Sequence, residues 1–268
     1  MPIKKLAKLI WPYIFVLLVV CVPPICFQST KIYAITDINE ITKVLPSVFA
    51  NSTFKHLPTV SLILKSINCF CLLLFVFCKP MRKHFSTYVF FYMILITLTQ
   101  NITYINNKGI VLSTGSFLLM LITCLIWLLK VKKDNTHYTI NKHYLWMFSI
   151  ILLCIWYPLD RHANFNFSLD PWVHYLSSSM YCFNMPVFIS FLLIFYKNNY
   201  GWFYEVLGII ALLFSLVTII AQGTWLNGIP NMIMHFPLLI SSLTLLFNCY
   251  WEKDNIYSVS FKNQKSLN

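Results

Sequence analysis

Hydrophobic positions along this chain gather into eight runs, near residues 9–27, 59–78, 86–105, 110–129, 144–158, 172–196, 202–222 and 229–250. Most approach the roughly 20 residues an α-helix needs to cross a hydrocarbon core about 30 Å thick. The pattern predicts an all-α fold, a polytopic membrane helix bundle with eight transmembrane helices in a single integral membrane domain, residues 1–268. The run at 144–158 is short, so its helix either stands nearly upright or extends into its polar flanks, and seven spans is the alternative.

The basic residues between the runs set the expected orientation. With the N-terminus inside, the inner segments hold Lys4, Lys5, Lys8, Lys79, Arg82, Lys83, Lys130, Lys132, Lys133, Lys142, Lys197, Lys253, Lys262 and Lys265. The outer segments hold only Lys31, Lys43, Lys55, Lys108 and Arg161. Fourteen against five is the bias of cytoplasmic loops, so both termini are expected in the cytoplasm, with residues 252–268 as a tail. Lys65 falls inside the second run, where a lysine is expected to snorkel outward.

Composition agrees with the pattern. The chain is 58% hydrophobic and 10% charged, against roughly 25% charged in soluble domains, which predicts an integral protein of the plasma (inner) membrane with the lipid bilayer as its partner. The +12 net charge arises from clusters between apolar runs, not along one soluble face, so no nucleic-acid partner is expected. Lys4, Lys5 and Lys8 ahead of an apolar stretch resemble a signal peptide, but no small-x-small cleavage site follows, and a retained helix is expected. The 8 Trp mark expected span ends, as in an aromatic belt. Nine Cys without a CxxC read as small packing residues. Gly115 and Gly208 are placed for close helix approach.

The longest outer segment, 28–58, carries Thr36 or Asp37 as a helix cap and Glu40 at capping-box spacing. Ile38, Ile41, Val44, Leu45 and Val48 then recur at helical spacing. A short amphipathic helix at the membrane interface is expected there. Three Asn-x-Ser/Thr triplets, starting at Asn51, Asn101 and Asn166, also lie on the expected outer side.

Candidate chemistry concentrates in residues 157–186, YPLDRHANFNFSLDPWVHYLSSSMYCFNMP. Asp170 before Pro171 is a helix start. From it Asp170, His174, Ser178, Tyr181 and Asn184 form one polar stripe down the sixth span. Polar groups facing lipid are costly, so the stripe should face the bundle or a wet cavity. Asp160 and Arg161 precede it in the outer loop, and Asn231 and His235 enter the last span from the same side.

These groups support binding or transport of a small polar or lipidic ligand through an outward-facing polar cavity, with Asp170, His174, Ser178, Tyr181, Asn184, Asn231 and His235 as contacts. Two alternatives remain at this level: a membrane-embedded lipid hydrolase or transferase, with His174 or His235 as general base oriented by Asp170, and a non-catalytic accessory or assembly subunit whose stripe meets a partner helix. Whether the chain is an enzyme is therefore open, as are its oligomeric state and any coupling ion. Two suitable His, with no H-x-x-x-H on the last span, do not make a zinc or haem site, and no metal or other cofactor is expected.

Overall fold

The computed structural model describes residues 3–50, 58–132, 140–155, 181–196, 201–225, 233 and 235–265. The chain is mostly helical. Its α-helices are α1 (Ile3–Val20), α2 (Ile38–Ala50), α3 (Pro58–Phe77), α4 (Phe85–Gln100), α5 (Thr114–Lys132), α6 (Met147–Ile155), α7 (Tyr181–Phe195), α8 (Trp202–Trp225) and α9 (Phe236–Lys265). Each of the eight apolar runs overlaps one of these helices.

Among the described residues, α5 and the Trp202–Ile220 part of α8 are long and apolar enough to cross a membrane. Length and apolarity thus support two crossings where eight were expected. The apolar parts of α3, α7 and α9 (Leu62–Phe77, Tyr181–Phe195 and Phe236–Tyr250) are shorter. The described part of α6 has 9 residues, roughly 14 Å at 1.5 Å per residue. Helix α9 also continues through the segment expected to be a tail.

The pattern-based reading missed a β-sheet. Strands β1 (Ile25–Phe27), β2 (Ile32–Ala34), β3 (Ile102–Ile105) and β4 (Gly109–Leu112) pair antiparallel in the order β2-β1-β4-β3. The α4 run is cut short because the Asn101 side-chain amide donates to the Thr97 carbonyl at 2.9 Å, satisfying the last turn. The strand begins at the next residue. Its turn closes with the Lys108 N–H on the Ile105 carbonyl at 3.0 Å, and Asn107 takes the left-handed conformation (φ 71°) that such a turn requires.

Gly109 (φ 75°) lets the two hairpins meet, since a Cβ there would lie 2.4 Å from the Phe27 carbonyl oxygen. The Gln28 side chain then donates to the Asn107 carbonyl at 2.7 Å, tying one turn to the other.

Helix α2 forms as the 28–58 segment leads one to expect, capped by the Asp37 carboxylate accepting the Asn39 N–H at 3.0 Å. Val44 and Val48 pack with Cys26, Ile35 and Val111 in a small core between helix and sheet. Glu40, expected in a capping box, forms an ion pair with Lys108. The amphipathic face of α2 is thus spent on covering the sheet.

The main core is aromatic. Every residue of α7 is buried, as befits a helix that is apolar nearly all round. Phe191 stacks on Phe85 of α4 at 4.1 Å between ring centroids. Trp127 of α5, read as a belt residue, is instead fully buried and meets Phe85 edge-on at 6.1 Å. Arg82 caps α3 from the following turn, donating to the Phe75 carbonyl at 2.8 Å and the Val76 carbonyl at 2.6 Å, and its guanidinium lies 4.5 Å over the Phe195 ring. Helices α8 and α9 pack closely at Gly208, where a Cβ would come 2.8 Å from Leu246 Cγ.

Candidate functional site

Two polar layers cross this apolar bundle. The first joins α3, α4 and α7. Asn68 Nδ2 donates to Asn184 Oδ1 at 3.0 Å, and the Tyr88 hydroxyl donates to Asn68 Oδ1. Asn184, a member of the expected polar stripe, is 2% exposed. It therefore faces the bundle interior, and its partner is Asn68 on α3. One turn from Asn68, Lys65 is only 4% exposed. The expected snorkelling does not occur, because Lys65 shares the α3 face of Asn68 and Leu72, which turns toward the bundle.

The second layer lies at the end of the bundle that carries the sheet. Gln100, the last residue of α4, is buried, and its side-chain oxygen accepts the Tyr181 N–H at 2.8 Å, satisfying a donor at the start of α7. Tyr181 is fully buried, its ring 4.8 Å from that of Phe214 and its hydroxyl beside Thr123. Asn101 is fully buried as well, with its side-chain oxygen lacking a partner among the described residues. Its Asn-x-Thr triplet is therefore not presented for modification.

His235 lies at a similar depth to this second layer. Asn141 N–H donates to the Ile194 carbonyl at 2.7 Å, and the Tyr144 hydroxyl donates to Asn248 Oδ1 at 2.6 Å. One turn of chain thus brackets Ile194 on α7 and Asn248 on α9 at the other end of the bundle. From that level thirteen residues of each chain segment lead back to Tyr181 and to His235, roughly 20 Å at 1.5 Å per residue. Helices α7 and α9 pack together, so Tyr181 and His235 lie at about the same depth along the bundle.

The His235 carbonyl caps α9 by accepting the Leu239 N–H at 3.0 Å. Its imidazole is 4% exposed, and neither ring nitrogen has a hydrogen-bond partner among the described residues. A buried polar group without a partner costs about 1–3 kcal/mol. His235 presents two such atoms.

Of the expected contacts, Tyr181, Asn184 and His235 are thus in or beside these layers. Asp170, His174, Ser178 and Asn231, with the loop charges Asp160 and Arg161, lie outside the described residues, as do Asn51 and Asn166. The sequence reading missed Gln100, Asn101, Asn68 and Tyr88. Asn68 and Lys65 carried a signal in being polar residues three apart inside an apolar run; Tyr88 carried none.

The Glu205 carboxylate accepts a hydrogen bond from the Tyr250 hydroxyl at 3.4 Å. Among the described residues no three His, Cys, Asp or Glu gather into a metal-binding group.

Comparison of the chain with protein-family models, with curated proteins and with solved structures finds no match. The functional reading accordingly rests on the chain's own residues.

Proposed function

We propose that this chain is a multi-pass protein of the plasma (inner) membrane, with eight spans and both termini in the cytoplasm, that binds or transports a small polar or lipidic ligand. The eight apolar runs and the inner bias of Lys and Arg support the topology.

One observation carries the ligand reading: His235 is buried, and among the described residues neither of its ring nitrogens has a hydrogen-bond partner. A structural imidazole inside a bundle satisfies its nitrogens, whereas a binding residue keeps them for its ligand. Neutral imidazole offers one donor and one acceptor. The layer therefore suits a ligand with hydroxyl, amide or phosphate-ester groups.

The test is thermal unfolding of the purified protein with fractionated polar and lipid extracts of its host, for wild type and His235→Ala. A fraction that raises the melting temperature of wild type and not of the variant supports the proposal. Equal responses of the two proteins to every fraction contradict it. Chemical turnover of the stabilising fraction, lost in the variant, would move the assignment to a lipid hydrolase or transferase.

A further inference from the structure

Antiparallel sheets with one solvated face alternate apolar and polar residues along each strand. This sheet does not. Cys26, Tyr33, Thr103 and Val111 face the α2 side, where Cys26, Thr103 and Val111 are buried. The residues between them make up the opposite face. The register sets Ile32, Phe27, Ile110 and Tyr104 side by side in one row across all four strands. All four are exposed, Ile32 and Tyr104 each by 69%. The parallel row, two residues nearer the helices, is Ala34, Ile25, Leu112 and Ile102. Apart from the Tyr104 hydroxyl, the open face carries no polar side chain. A contiguous apolar patch of this kind marks a contact surface.

Placement indicates what covers it. Helix α4 has 16 residues, roughly 24 Å at 1.5 Å per residue and less than the ~30 Å hydrocarbon core, while α5 with 19 residues roughly matches that core. A single residue, Asn101, separates α4 from β3, and a single residue, Ser113, separates β4 from α5. The row at Ile102 and Leu112 therefore lies at the ends of α4 and α5. The row at Tyr104 and Ile110 lies two residues farther, about 7 Å at strand spacing, within the depth of a headgroup layer some 5–7 Å thick.

Beyond both rows the tip is polar and basic, with Gln28, Lys31, Asn107 and Lys108. The Lys31 ammonium lies 5.1 Å over the Tyr33 ring, and the nearby Glu40 carboxylate is taken up by Lys108. The order along the strands is apolar, apolar with a tyrosine, then lysine and amides. A bilayer has the same order from acyl chain to phosphate.

We infer that the open face of the sheet is a lipid-docking surface, seated in the acyl-headgroup boundary of the outer leaflet with its basic tip at the phosphates. The inference rests on α4 and α5 crossing the membrane as proposed above.

The test places the photo-reactive residue benzoylphenylalanine at Tyr104, and separately at Ile32 on the other edge of the sheet. The full chain is reconstituted in phosphatidylcholine–phosphatidylglycerol vesicles, irradiated and weighed by mass spectrometry. The same probe at Phe91, an exposed residue midway along α4, is the control for the span itself. The expected result is a mass gain of one phospholipid at Tyr104 and Ile32 as well as at Phe91.

Lipid captured at Phe91 but not at the sheet positions would overturn the docking surface and leave the span intact. A doubled mass would assign the face to a second copy, and a cross-link within the chain would assign it to the protein itself; either overturns the inference. No lipid at Phe91 would overturn the span, and the docking surface with it.

Discussion

Asn68 and Asn184 hydrogen-bond side chain to side chain at 3.0 Å across the interior, linking α3 to α7 from positions 116 residues apart in sequence. With the Tyr88 hydroxyl on the same Asn68 oxygen, three helices share one polar node. Asn68→Leu leaves the Asn184 oxygen and the Tyr88 hydroxyl buried without this partner, an expected loss of about 1–3 kcal/mol. Asn184→Leu should act similarly. The double variant should lose clearly less than the sum, because the second substitution removes a group already orphaned. Melting temperatures of the four proteins in one detergent measure this coupling. Additive losses would show that the two side chains act independently.

Gly109→Ala tests the junction of the two hairpins. The added Cβ would sit 2.4 Å from the Phe27 carbonyl oxygen at a backbone φ of 75°, so contact and conformation both oppose it. Strained substitutions of this kind cost about 1–3 kcal/mol. The expected result is faster proteolysis within residues 25–34 and 102–112. The opposite substitution site, Gly208→Ala, presses on the Leu246 side chain, so it should lower the melting temperature of the whole bundle. Cutting in the sheet of the Gly109 variant at the wild-type rate would contradict the packing described.

The Glu40–Lys108 ion pair gives the sheet a pH dependence. The hydrogen bond from Lys108 to Glu40 raises the lysine above its ordinary value near 10.5. A raised folded pKa favours the protonated folded form, so the stabilisation is complete below the unfolded lysine pKa and disappears as pH climbs through the folded one. Both side chains are partly exposed, at 25% and 38%, so the effect should stay below about 1 kcal/mol. Hydrogen exchange of β3 and β4 amides, corrected for intrinsic rate, should hold steady to about pH 10 and loosen above it. Glu40→Gln should flatten that profile.

Cysteine chemistry separates the sheet core from its surroundings. Cys26 is fully buried, and burial pushes its thiol above its ordinary pKa of 9.0. Cys21, five residues earlier, is exposed. A maleimide at neutral pH should modify Cys21 and leave Cys26 until the sheet opens. Thiolate is the reactive form and access is required as well, so two features protect Cys26. Mass mapping of labelled peptides checks this, and comparable labelling of the two would mean that α2 does not cover the sheet.

The helices were legible because each apolar run exceeds what a strand of four or five residues needs. The sheet was not, because Ile102–Ile105 and Ile25–Phe27 continue apolar runs, and four residues do not distinguish a period of 2 from one of 3.6. The open sheet face removed the remaining cue, since both faces of the strands are apolar and no alternation appears. Trp127 misled for a related reason: a tryptophan near the end of a run reads as belt whether it faces outward or, as here, packs against Phe85 and Phe203. For the site, the run from Tyr181 to Asn184 was visible as a stripe. The node with Asn68 and Tyr88 depends on which helices become neighbours, which no local spacing encodes.

Native mass spectrometry of wild-type protein and His235→Ala, released from detergent after gentle extraction, tests the ligand claim most directly. The account predicts a bound mass on wild type that is lost or greatly reduced in the variant, with Asn68→Leu as a control that perturbs the bundle without touching the imidazole. Identical spectra for wild type and His235→Ala, with no adduct on either or the same adduct on both, would contradict it.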